Sequence, residues 1–154
     1  SGFCPVHTLL EAGVNLGIGT DGAASNNDLS MQGEMKTAAM LAKAVAQNAA
    51  ALPADKALYM ATMGGAKALG LGNDIGSIDV GKWADLQAVD LSQVEQQPLY
   101  NPISQLVYTD SSRHTTHVWV AGKQLLDNGT LCSLDEEKIR YNAREWLGKI
   151  KQNT

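Results

Sequence analysis

Residues 14–21, VNLGIGTD, constrain this chain more than any other stretch. A short apolar run bounded by turn formers reads as a buried strand. It passes straight into residues 20–27, TDGAASNN, whose density of Gly, Ser, Asn and Asp marks a loop. Beyond the loop, Asp28 or Ser30 is placed to cap a helix that runs from about residue 30 to residue 47. Met31, Met35, Ala38, Ala42 and Val45 recur there at intervals of three and four, which predicts one buried stripe. The many alanines let another surface approach closely. A buried strand feeding a loop and a long amphipathic helix is the repeating step of an α/β layer.

The flanking segments extend this pattern. Residues 5–13 predict a short helix, with Pro5 in its first turn and Gly13 at its end. Another helix starts near Pro53, carries Ala57, Leu58 and Ala61, crosses Gly64-Gly65 and ends by Gly70 and Gly72. After Asn73 the character changes. IGSID and ADLQAVD predict short strands about a turn at residues 79–82, and the polar residues 91–101, with Pro98, predict a loop. NPISQLVY suits a helical turn, and THVWVAGKQLLDNG a hairpin turning at Ala121-Gly122. Ser133 or Asp135 opens a terminal helix with Ile139, Ala143, Trp146 and Ile150 on one face. Three segments follow: 1–72, 73–133 and 134–154.

Composition narrows the function classes. Hydrophobic residues make up 44% of the chain, enough for a core and too many for a disordered tail. The net charge is −4, the basic residues are scattered, and 5% of residues are aromatic. A nucleic-acid partner needs a basic footprint or stacking platforms, so none is expected. No run reaches 18 apolar residues, so no membrane partner is expected either. Cys4 and Cys132 form no C-x-x-C pair and read as free thiols of a cytoplasmic protein. The first residues, SGFCPVH, carry neither a leader pattern nor an initiator Met, which leads us to expect a chain that begins inside a larger one.

Among residues able to carry chemistry, Asp21 has the most content. It follows the apolar run at the C-terminal end of the expected strand, where α/β barrels place their active sites. Small residues, Gly22 to Ser25, leave room beside it. A carboxylate there can ligate a metal and accept a proton from water. It can equally be an Asx-turn or cap residue. The three histidines add little. His7 belongs to a helical surface, and His114 and His117 run into an expected strand, where an offset of three points them to opposite faces. A catalytic zinc site wants about three protein donors, and the residue pattern offers one. Ser25, Asn26 and Asn27 could touch a polar ligand or simply face water, and Glu34 reads as solvent-facing. No G-x-S-x-G, P-loop or G-x-G-x-x-G occurs.

GIGTDGAASNNDLSMQGEMKTAAML resembles the last catalytic loop and following helix of the amidohydrolase superfamily. ALYMATMGGAKALGLGNDIGSIDVGKWADLQAVDL resembles that family's A-T-x-x-G-A-x-A-L-G and G-S-[IL]-x-x-G-K-x-A-D-[LF] segments, and THVWVAGKQLLDNG its closing hairpin. Within the superfamily the likeness is to the 5-methylthioadenosine/S-adenosylhomocysteine deaminase branch, related to chlorotriazine hydrolases. The resemblance implies a metal-dependent TIM barrel flanked by a small β-sandwich. Such a barrel takes about 250 residues, so this α/β chain would be a C-terminal fragment. Residues 1–72 would give the last barrel strand and helices, 73–133 part of the sandwich, and 134–154 a terminal helix.

The implied reaction is hydrolytic deamination of a purine nucleoside, a small-molecule substrate, with a divalent metal, zinc foremost. Asp21 would be metal ligand and catalytic proton acceptor. The family's H-x-H pair, later barrel histidines and catalytic Glu are absent from this sequence. The fragment alone is therefore expected to be inactive and to bind metal weakly. The alternatives are a relative acting on guanine, cytosine or a chlorotriazine, and a non-catalytic interaction module. A parallel-barrel strand with open edges also predicts self-association or a homo-oligomer.

Overall fold

The computed structural model describes residues 2–152. Six α-helices and one four-stranded antiparallel sheet make up its regular structure. The element that organises the rest is α2, Met31–Ala46. Ser30 caps it by accepting a hydrogen bond from Gly33 N at 3.2 Å, and Gln47 ends it in a left-handed conformation. Its buried stripe is Met35, Ala39 and Ala42. Of the expected stripe Met35 and Ala42 are buried, but the middle turn buries Ala39 and leaves Ala38 half-buried, and Val45 at the end is exposed.

That covering surface comes from three pieces. Helix α3, Ala54–Tyr59, starts after Pro53 and contributes Ala57. A π-helical turn, Met60–Gly64, links it to α4, Gly65–Ala68, and contributes Met60. Helix α5, Pro102–Tyr108, is capped by the Asn101 side chain and contributes Val107. Leu52 completes the core, in which alanines interleave with Met35, Met60 and Val107 between the helices, with Leu10 of α1, Val6–Glu11, at its edge. Helix α4 ends as its glycines imply. Gly70 takes φ 75°, Gly70 N donates to Lys67 O and Leu71 N to Ala66 O, the paired bonds of a Schellman motif.

The sheet is a meander: β1 Leu86–Val89, β2 Thr115–Val120, β3 Lys123–Asp127 and β4 Thr130–Leu131. Leu86 faces Trp119 across β1 and β2, and Val118 faces Leu126 across β2 and β3. Ala121 and Gly122, at φ 50° and 77°, form the expected β2–β3 turn. A groove of about 640 Å³ separates the helical layer from the sheet, lined on one side by Met31, Met35 and Leu58 and on the other by Trp83, Leu86 and Trp119.

Two expected strands are corrected. Residues 14–19 form no strand, because no other strand of the described residues pairs with them; the run is tied to the π-helical turn instead. IGSID is irregular backbone, bent at residues 75–77, not a strand. Its neighbouring carbonyls find their partner in a lysine, since Lys82 Nζ donates to Gly72 O at 2.6 Å and Ile75 O at 3.2 Å. Helix α6, Glu136–Gln152, forms where expected and is capped by Asp135, but its apolar face is not covered: Ile139 is 47% and Trp146 63% exposed. No helix among the described residues is long and apolar enough to cross a membrane.

Candidate functional site

The loop between the apolar run and α2 carries Asp21. The run approaches along the π-helical turn, where Ile18 N donates to Met60 O at 3.1 Å and Asn15 Nδ2 to Gly64 O at 3.0 Å. At Asp21 the backbone swings to φ 59°, the left-handed region, in a residue that is not glycine. Aspartate tolerates this better than most residues because its short side chain bonds locally. Here Gly22 N donates to Asp21 Oδ1 at 2.7 Å. That backbone N–H, and after it the Ser25 hydroxyl, hold the carboxyl below its ordinary value. The group is exposed, and the lowered pKa favours its anionic form.

The loop then closes on itself. Ser25 N and Asn26 N both donate to Gly22 O at 2.9 Å. From Asp21 to Leu29 every residue is exposed except Asn26. Asn26 Nδ2 donates to Thr20 O at 3.0 Å and to Glu34 Oε1 at 2.8 Å, and Asn26 Oδ1 accepts from Asp28 N at 3.1 Å. Glu34 is therefore not a solvent-facing residue of α2, as its sequence position suggested; it is half-buried against the loop. Its place one residue before the buried Met35 was the signal that could have revealed it. A groove of about 310 Å³ runs beside it, between Leu16, Ile18 and Gly19 on one wall and Glu34, Thr37 and Leu41 on the other.

The histidines are engaged locally and elsewhere. His7 Nε2 lies 3.4 Å from Glu11 Oε1, within α1. His114 precedes β2 in a 3-10 turn and pairs with Glu95 at 3.3 Å. His117, on β2, pairs with Asp127 at 3.3 Å and stacks on Trp119, ring centroids 5.5 Å apart. Cys4 and Cys132 are free and exposed.

Residues 1–125 match the amidohydrolase family. The chain belongs to that family. Among amidohydrolase relatives, the 5-methylthioadenosine/S-adenosylhomocysteine deaminase of Saccharophagus degradans is 52% identical over 151 residues, which is 98% of this chain and 34% of the relative. An adenosine deaminase from Xanthomonas campestris with bound zinc superposes with a TM-score of 0.94 at 54% identity, covering 99% of this chain and 35% of the other. The zinc complex of atrazine chlorohydrolase from Arthrobacter aurescens superposes with a TM-score of 0.85 at 31% identity, covering 94% and 32%. The chain thus spans about a third of the length of the amidohydrolases it matches.

Zinc is bound in both of those structures. Among the described residues of this chain, no three His, Cys, Asp or Glu side chains converge closely enough to hold a metal. A catalytic zinc needs about three protein donors and an open position. The residues here do not by themselves fit the ion: Asp21 is a single, anionic, exposed oxygen donor.

Proposed function

We propose that this chain is the C-terminal portion of a zinc-dependent deaminase acting on 5′-methylthioadenosine or S-adenosylhomocysteine, and that Asp21 is its reacting carboxylate. Residues 1–72 then belong to the closing part of a barrel, 73–133 to part of a small β-sandwich and 134–154 to a terminal helix. A metal in such a site lowers the pKa of a water and provides a nucleophile at neutral pH. What this chain contributes is a carboxylate that keeps one oxygen on Gly22 N and leaves lone pairs for a metal or a proton. The remaining donors come from outside the chain.

The observation that carries this reading is the posture of Asp21. An exposed carboxylate, fixed by its own loop in a left-handed backbone with its pKa lowered, is an anionic oxygen donor held in place and open to a ligand. The likeness to deaminases supports the substrate class. The likeness to a triazine hydrolase keeps a second reading, displacement of a substituent from a triazine ring. In isolation the chain self-associates, a reading supported by exposed apolar side chains such as Trp83 and Trp146.

The test is an assay of the full-length gene product, purified with zinc, on 5′-methylthioadenosine, S-adenosylhomocysteine and atrazine in parallel. Ammonia release from the nucleosides, lost in Asp21→Asn, is the expected result. Turnover of the triazine alone favours the second reading. Deamination by residues 1–154 without the rest of the protein contradicts the division of donors.

A further inference from the structure

We propose that Glu34 is a positioning residue for Asp21, acting through Asn26. The inference rests on the reading of Asp21 as the reacting carboxylate and adds a residue that touches neither substrate nor metal.

The backbone of Asp21 sits in a region that a side-chain-bearing residue keeps only where its surroundings hold it. The Gly22 N–H fixes the carboxylate but not the peptide plane that precedes Asp21. That plane contains the Thr20 carbonyl, because the peptide group is rigid. Thr20 O accepts from Asn26 Nδ2 at 3.0 Å. Anchoring this oxygen fixes the axis about which the φ of Asp21 turns.

Asn26 can hold Thr20 O only while its amide faces the right way. An amide flipped end for end would present an oxygen to an oxygen. Glu34 forbids the flip. Its carboxylate is an acceptor only, so it demands the NH2 end of Asn26, which it receives at 2.8 Å. The Asp28 N–H on Asn26 Oδ1 enforces the same orientation from the other side. Both amide protons are then spent, one on the loop and one on α2.

Glu34 itself has a firm base. It lies in the first turn of α2, where its charge suits the helix N-terminus. The Ser30 cap precedes it and the buried Met35 follows it. A line of contacts therefore runs from the core through Met35, Glu34, Asn26 and Thr20 to Asp21.

The test uses the full-length, zinc-loaded enzyme with three variants. Glu34→Ala removes the acceptor; kcat falls about 10–100-fold, the usual effect of losing an orienting partner of a site residue, with KM little changed. Glu34→Gln keeps an acceptor oxygen and recovers most of the loss. Asn26→Ala removes the relay from an exposed loop while leaving α2 intact, and reproduces the Glu34→Ala loss, so a folding failure at position 34 does not block the test. Crystal structures of the variants give a readout independent of activity: Asp21 leaves the left-handed region in Glu34→Ala and keeps it in Glu34→Gln. An unchanged Asp21 backbone in Glu34→Ala and Asn26→Ala, or unchanged kcat in both, overturns the proposal. If the wild-type enzyme deaminates no nucleoside, the functional reading fails, while the backbone comparison still decides the role of Glu34.

Discussion

Gly64 meets the backbone of Leu16 with no room for a side chain: a Cβ placed on Gly64 would overlap the Leu16 carbonyl oxygen. This contact is how the apolar run is seated. The π-helical turn lends it two carbonyls, Met60 O to Ile18 N and Gly64 O to the Asn15 amide, so the run is held by backbone rather than by a neighbouring strand. Asp21 inherits its place from this seat.

Gly64→Ala tests the seat. The φ of −61° suits alanine, so the clash is the sole penalty. Overpacking of this kind costs about 1–3 kcal/mol. Urea denaturation should show that loss, and wild-type stability in the variant would mean that the run gives way freely.

Asp21 should titrate below the ordinary aspartate value, because the Gly22 N–H and the Ser25 hydroxyl favour its charged form. A carboxyl lowered in the folded state stabilises the fold above its unfolded pKa, near 3.9. That contribution fades as pH falls through the folded value. Carbon-13 NMR of the Asp21 carboxyl reads this directly. Ser25→Ala should move the midpoint upward; a wild-type midpoint at or above the ordinary value contradicts the hydrogen-bond assignment.

Lys43 is a prediction about the core. Its Nζ donates to Ala51 O at 3.0 Å, Leu52 O at 2.9 Å and the Tyr108 hydroxyl at 3.0 Å, joining α2, the α2–α3 loop and α5. Lys43→Met preserves the stem and strands these acceptors, a loss of about 1–3 kcal/mol. Tyr108→Phe removes one acceptor of several and should cost less. Equal stability of Lys43→Met and wild type would assign the lysine no structural role.

What the sequence made legible was local. Ser30 before a three-and-four spacing marked α2, Pro53 marked α3, and Ala121-Gly122 marked the hairpin, because caps, helical periods and left-handed turns are written in neighbouring residues. What it hid was long-range. VNLGIG has the composition of a strand, but a strand exists only through its partners, and the described chain provides none beside it. IGSID loses its strand character to Lys82, several residues away. The face of α6 was legible as apolar and still lies uncovered, since a pattern tells which side seeks burial and not what buries it. Asp21 stood out by its place after the run. Glu34 did not, because its meaning comes from Asn26, eight residues earlier and across a loop closure.

Anomalous diffraction at the zinc edge from crystals of the full-length protein is the most direct measurement of all. We expect a zinc peak with an Asp21 oxygen about 2.0–2.2 Å away, the bonding range for a carboxylate, and with its other donors drawn from outside residues 1–154. A zinc peak fully coordinated elsewhere, with the Asp21 carboxylate turned toward solvent, would contradict it.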